Sequence, residues 1–276
     1  MPEEFTTLRV TESSGTARVT FDNPPINLFD PVMIADFRQL LDHLAASRDI
    51  RVVVFASANP DFFIGHADLN LFLDPQDEIP PKPTKLSPLQ TLFEDLRNLP
   101  QATIGVLEGR ASGAGTEFLT SCDMAFAARD RAVLSQFEVA VGVLPGATGS
   151  QRLPRLLGRS RALEMILGCD EFDADLAEKY GLVNRALPPE ELWGFVDRLA
   201  RRIASFPGSA ITLNKVAVDA AELPIQLGLL EETHTLHQTL AGGEAQRRMR
   251  RLLELGAQDE IFEREHFTDA LEQLDA

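Results

Sequence analysis

Gly109-Arg110-Ala111-Ser112-Gly113-Ala114-Gly115-Thr116-Glu117 is the stretch on which the fold turns. Thr103–Leu107 before it and Met124–Ala127 after it are short apolar runs of the kind buried strands make. Between them, the glycines predict a turn that leaves a strand and opens a helix. The first backbone N–H groups of a helix have no intrahelical acceptor, carry positive partial charge and favour an anion. A phosphate suits such a place, and so does an oxyanion that develops during a reaction. A Walker loop needs Gly-Lys-Ser/Thr, and this stretch has no lysine; a dinucleotide fingerprint needs a third glycine where the chain has Phe118. On this stretch alone, a plain tight turn with small residues for close packing stands level with an oxyanion role.

Outward from the turn, the elements alternate. Thr7–Thr11 and Thr16–Asp22 flank Ser13-Ser14-Gly15 and predict a β-hairpin. Phe37, Leu40, Leu41 and Leu44 share one helix face, and Val52–Phe55 is a β-branched run suited to a buried strand. Residues 72–88 are proline-rich and predict a long loop beside the pocket. Leu89, Leu92, Phe93, Leu96 and Leu99 return to helical spacing, and Val133–Gln136 predicts a further strand. After Gly142 the character is mostly helical: a helix over Pro188–Ser205, a longer one carrying Ile225, Leu229, Leu236 and Leu240, a break at Gly242-Gly243, and a last one with Met249, Leu252, Leu253 and Leu255. The expected division is a mixed core over 1–198 and a helical region over 199–276.

The bulk numbers exclude several classes. The 276 residues are 44% hydrophobic and 25% charged, as in a soluble globular protein, and no apolar run approaches the ~20 residues that span a bilayer. The acidic start Met1-Pro2-Glu3-Glu4 lacks the basic-then-apolar order of a signal peptide. A net charge of −16 repels nucleic acid and anionic membranes. Two cysteines, Cys122 and Cys169, argue against a disulfide scaffold or a Cys-pair zinc site and fit the cytoplasm; both read as buried packing residues.

Two glutamates stand out. Glu117 lies in the first helical turn after the glycines, where a carboxylate also favours the helix dipole. Glu138 follows a strand within Phe137-Glu138-Val139-Ala140-Val141, and apolar neighbours raise a carboxyl pKa toward the range of a general acid or base. An exposed loop residue is the plainer reading of Glu138.

At these residues the chain resembles the enoyl-CoA hydratase/isomerase (crotonase) superfamily, over roughly residues 5–255. Four segments in family order carry the resemblance: Asp22–Leu28, Phe63–Leu69, Gly109–Asp123, and Ser135 through Ala147 continuing to Gln151-Arg152-Leu153-Pro154. The resemblance implies an α/β fold, with a crotonase-like β-β-α spiral core and an all-helical C-terminal oligomerisation region. It implies an acyl-CoA thioester as substrate, with coenzyme A entering as part of it and no separate cofactor or metal. It places the two oxyanion-hole N–H groups on Ala67 and Ala114, where the family usually has glycine at the second position, and the acid/base pair on Glu117 and Glu138. It implies that His66, Asp68, Leu69, Asn70, Gly113 and Gly115 bind substrate. With both glutamates present, hydration of a 2-enoyl-CoA is the expected reaction. Isomerisation or thioester hydrolysis on the same site is the nearest alternative; a non-catalytic acyl-CoA-binding protein is one of another class. A homotrimer or homohexamer is also implied.

Other residues have simpler readings. His66 either lines the pocket, contacts Glu138 or makes a structural hydrogen bond. His234 and His237 lie three apart on a helix, without a third ligand, and read as a solvated face. Trp193 reads as core. Arg247, Arg248, Arg250 and Arg251 read equally as a salt-bridged face and as an anchor for the ligand's phosphates. The family's C-terminal lysines and Lys-Pro-x-Phe segment are replaced here by an acidic extension to Ala276.

Overall fold

Ser14 and Gly15 both take positive φ, 50° and 77°, and close the two-residue turn between β1 (Leu8–Ser13) and β2 (Thr16–Phe21). Paired residues of this kind match the right-handed twist of the strands, and Ser13 sits opposite Thr16. The computed structural model describes residues 5–72, 81–223 and 243–258, with scattered positions between 227 and 238 and between 262 and 274.

After the hairpin and α1 (Pro31–Ala46), a strand-strand-helix unit recurs. β3 (Val52–Ser57), β4 (Phe62–Ile64) and α2 (Pro88–Arg97) form one; β5 (Ala102–Leu107), β6 (Arg110–Ser112) and α3 (Ala114–Leu119) form the next. β7 (Met124–Ala128) and β8 (Val133–Ser135) open a third, followed by a 3-10 turn (Glu138–Val141), α4 (Gly149–Leu157) and α5 (Arg159–Gly168). The first strand of each unit joins one sheet and the second joins another, which is the expected β-β-α spiral. The larger sheet, with β10 (Arg185–Leu187) at its edge, has order β1-β2-β3-β5-β7-β10; the smaller, with β9 (Phe172–Asp173), has order β4-β6-β8-β9. Beyond the β1–β2 hairpin, the larger sheet is parallel from β2 onward. Because β3, β5 and β7 are covered on both faces, they read as continuous apolar runs rather than alternations.

On one face, seven phenylalanines are fully buried, and Phe118 lies within 5.1–6.1 Å of the ring centroids of Phe21, Phe29, Phe37, Phe55, Phe63 and Phe93. The residue that rules out a dinucleotide loop is thus the pivot of the core, and it pins α3 directly after Glu117. On the other face, Val52, Ile104 and Phe126 pack against Leu192, Val196, Ala200 and Ala204 of α7 (Pro189–Ala204). This helix runs through residue 198 unbroken, so the expected division point falls inside one packed element. α6 (Ala174–Tyr180), α8 (Gly208–Asp219) and α9 (Glu244–Leu255) are further helices among the described residues. Four strands, β4, β6, β9 and β10, went unanticipated, since two or three residues are too few to show a period. Ile225, Leu229 and Leu240 of the expected long helix lie outside the described residues.

Cys122 is buried as expected, while Cys169 is only partly so: it caps α5 with φ 51°. Trp193 packs on the second core at its edge, where its Nε1 donates to Glu108 at 3.0 Å and the Arg18 guanidinium stacks 4.4 Å from the ring.

Candidate active site

The end of β8 fastens the glycine turn. Ser135 O accepts from Gly113 N at 3.0 Å and from the buried Thr116 hydroxyl at 2.9 Å, and the Ser112 and Ser135 hydroxyls bond each other. Gly113 then turns the chain with φ 51°, and a side chain there would meet Glu138 Oε1 at 2.7 Å. A Cβ on Gly115 would lie 2.2 Å from Ile64 O, so the start of α3 can touch β4 only through a glycine. Both glycines expected to bind substrate therefore serve close packing.

Ala114 opens α3, and its N–H has no intrahelical acceptor and donates to no described residue. Ala67 reaches a similar state by another route. Phe29 N donates to His66 O and Asp68 N donates to Phe29 O, so the peptide groups on either side of Ala67 face Phe29. Alternation along an extended chain turns the Ala67 N–H the other way, and it too donates to no described residue. Both alanines line a cavity of about 310 Å³.

The wall of that cavity is apolar: Leu69, Phe72, Leu89, Phe137, Val141, Val143 and Leu144 all contribute, and its ionisable members are Glu117, Glu138 and His66. Phe72 and Ser87 confirm that both ends of the proline-rich stretch reach the pocket; residues 73–80 lie outside the described ones. Of the residues expected to bind substrate, His66 and Leu69 line it. Asp68 and Asn70 do not: Asp68 Oδ1 takes both the N–H and the amide of Asn70, at 3.0 and 2.7 Å, which spends these groups on a local turn. His66 packs its ring 5.3 Å from Phe137, and its Nδ1 lies 2.7 Å from Ala67 O, so its hydrogen bond is structural and not to Glu138.

Glu117 is 2% exposed. Its Oε1 accepts three backbone N–H groups, from Ala147 at 3.0 Å, Thr148 at 2.7 Å and Gly149 at 2.5 Å. These are the unpaired donors at the start of α4, which has no side-chain cap of its own. Burial raises the Glu117 pKa, and the three N–H groups oppose that rise by favouring the ionised form. Glu138 stands on the 3-10 turn, less buried. The fully buried Gln136, with its amide nitrogen toward Glu138, donates to both oxygens at 2.8 and 2.9 Å. Burial, with a smaller contribution from the negative charge of Glu117, pushes Glu138 up to about 7. The 147–149 backbone and Gln136 are functional groups that the sequence reading missed, although both lie inside matched segments.

Among the described residues, no group of three or more His, Cys, Asp and Glu is arranged to hold a metal ion. His234 Nε2 instead pairs with the Gln238 amide at 2.9 Å. In the basic cluster on α9, Arg248 donates to Ser205 O at 3.1 Å and Arg251 pairs with Glu254 at 3.5 Å.

Chemically, the cavity offers two amide donors that are unpaired among the described residues, beside two carboxyl groups of raised pKa, in an apolar enclosure where hydrogen bonds to a developing anion are strong. Comparisons with known proteins agree with that chemistry. The chain is 28% identical over 239 residues to a Dictyostelium discoideum protein named "Probable enoyl-CoA hydratase, mitochondrial", covering 86% of this chain and 84% of the relative. A Streptomyces avermitilis protein provisionally assigned as an enoyl-CoA hydratase is 38% identical, with TM-score 0.73 and 99% of both chains covered. An enoyl-CoA hydratase from Bacillus anthracis is 26% identical, with TM-score 0.83 over 91% of this chain and 97% of that one. Residues 11–258 match the family described as enoyl-CoA hydratase/isomerase, and the chain belongs to that family.

Proposed function

We propose that this protein is a lyase that adds water across the double bond of a 2-enoyl-CoA thioester. The observation that carries the reading is the difference between the two carboxyl groups at one cavity. Burial raises both carboxyl groups, Glu138 to about 7, but only Glu117 has three backbone N–H groups that favour its ionised form against that rise. In the proposed step the pair holds one proton, on Glu138. Glu117, ionised, takes a proton from water as the water oxygen bonds to the β-carbon. Electron density moves onto the thioester oxygen, where the Ala67 and Ala114 N–H groups stabilise it; one donor of this kind contributes about 3 kcal/mol. Glu138 delivers its proton to the α-carbon as the carbonyl reforms, and exchange with solvent resets the pair. Coenzyme A enters as part of the substrate.

Leu223, Val216 and Val218 along and after α8, with Met249 and Leu253 on α9, expose apolar side chains that assembly into a homotrimer or homohexamer would cover. Among the described residues no helix is long and apolar enough to cross a membrane, and two free cysteines fit work in the cytoplasm.

The test follows the ultraviolet band of the conjugated thioester in short, long, branched and aromatic 2-enoyl-CoAs. Loss of the band with formation of 3-hydroxyacyl-CoA is the expected result. An unchanged band across the whole series would sink hydration, and shifted double bonds or free thiol would point to isomerisation or hydrolysis.

A further inference from the structure

Resting on the hydratase reading, one feature outside the cavity bears on it: Gln90 makes hydrogen bonds in two directions. Its Oε1 accepts from Ser87 N at 3.0 Å and closes the capping box of α2. Its Nε2 donates to Gly146 O at 3.0 Å, across 56 positions of sequence. That oxygen belongs to the peptide group between Gly146 and Ala147, whose N–H donates to Glu117 Oε1 at 3.0 Å. One rigid peptide plane thus joins Gln90 on one edge to Glu117 on the other. A peptide that accepts at its oxygen is polarised and donates more strongly from its nitrogen. The plane follows a glycine, the residue least able to hold a peptide orientation unaided.

We propose that Gln90 is a positioning residue for Glu117, acting through the Gly146–Ala147 peptide: it fixes the plane that aims one of the three N–H groups at the carboxylate and strengthens that donor. Gln90 is not a lining residue of the cavity. It acts on the proton acceptor from behind. The relay also ties the pocket wall to the catalytic group, because Ser87 and Leu89, on either side of the α2 start, line the cavity. A second tie between α2 and α4, the Arg152–Glu94 ion pair, lies one helical turn beyond Gln90 and bypasses the relay. The other ionisable groups that face Glu117 across the cavity are Glu138 and His66. Arg152 on α4 and Glu94 on α2 face each other.

Removing a donor from a carboxylate raises its pKa. The experiment compares Gln90→Met, Gln90→Glu and Glu94→Gln with the wild type. Both Gln90 variants lose the donor; the first does so without adding charge, the second while keeping the capping acceptor. Titration of the Glu117 carboxyl carbon is read by NMR in protein carrying 13C-labelled glutamate, with the signal assigned from Glu117→Gln. The acid limb of kcat against pH is read in parallel. Both Gln90 variants are expected to move the Glu117 titration and the acid limb upward. On the acid limb kcat falls about 3- to 10-fold, the size of one hydrogen bond, while KM stays within about twofold because the group does not line the cavity. Glu94→Gln is expected to lower thermal stability and leave the titration in place. An unmoved Glu117 titration in the Gln90 variants overturns the proposal, and so does an equal shift in Glu94→Gln, which would assign the effect to helix docking. The NMR readout needs no turnover. A protein inactive on every enoyl-CoA with a shifted titration keeps the relay and loses the hydratase reading; an active protein with an unshifted one does the reverse.

Discussion

Glu117 and Glu138 face the same cavity from two regions built on different principles. At the junction of α3 and α4, Glu117 is locked in the interior, and its partners are backbone N–H groups that cannot rotate away. At the turn after β8, Glu138 sits half-buried on a 3-10 segment, and its partner is the side-chain amide of Gln136. Burial raises both pKa values. What separates the two residues is the number and rigidity of donors to the ionised form. Two identical side chains at one cavity thus differ in burial and in their donors, and the proposed division into base and acid rests on that difference.

The severest way to break that comparison is to neutralise each partner. Glu117→Gln and Glu138→Gln are each expected to lower kcat by about 10²- to 10⁴-fold, the usual weight of a general acid or base, as measured on the enoyl thioester band. Wild-type activity in either variant would remove that residue from the proton transfers. Gly113→Ala strikes Glu138 directly and strains the turn that carries Ala114 and Glu117, since the new Cβ meets Glu138 Oε1 at 2.7 Å in a backbone conformation unsuited to alanine. A displacement of this kind is expected to cost about 10- to 100-fold in kcat, with circular dichroism unchanged.

A finer cut separates the two limbs of the pH profile. Activity should fall on the acid side as Glu117 gains a proton and on the alkaline side as Glu138 loses one, near its pKa of about 7. Gln136→Leu removes donors from Glu138 and raises its pKa, so the alkaline limb should move to higher pH, with kcat changed by about 3- to 10-fold. Gln90 variants should move the opposite limb. If both sets of substitutions moved the same limb, the assignment of base and acid would be wrong.

The smallest effect is on stability. The raised pKa of Glu138 means that the folded state binds more protons than the unfolded one between about 4.5 and 7. Stability is therefore present at low pH and lost as pH rises through that window. Discounted for solvent screening, the loss is about 1 kcal/mol, or ~2–4 °C in Tm. Glu138→Gln should escape it, so its Tm relative to wild type should rise between pH 5 and pH 8. A constant difference would place the Glu138 pKa near that of an ordinary carboxyl.

Local signals announced the hairpin at Ser14-Gly15, the buried face of α1, the strand at Val52 and the glycine turn before α3, because each follows from periodicity or from φ preferences within a few residues. Both glutamates drew notice locally, Glu117 at the helix start and Glu138 among apolar neighbours, but it was the family resemblance that paired them; both line the cavity. The strands β4, β6, β9 and β10 were not announced, being too short for a pattern. What the resemblance could not convey is local geometry: Asp68 and Asn70 close a turn, Gly115 lets α3 meet Ile64, and none of the three lines the cavity.

Sequence by itself determined the local elements, because periodicity, turn preference and side-chain chemistry are local properties, while resemblance to a family supplied the spiral architecture and singled out the two carboxyl groups. Tertiary structure decided which of the two receives fixed main-chain donors. The three donors to Glu117 are main-chain groups 30–32 positions away, and every residue except proline carries an N–H. Such a group leaves no mark in the sequence, and only the folded chain shows where it points.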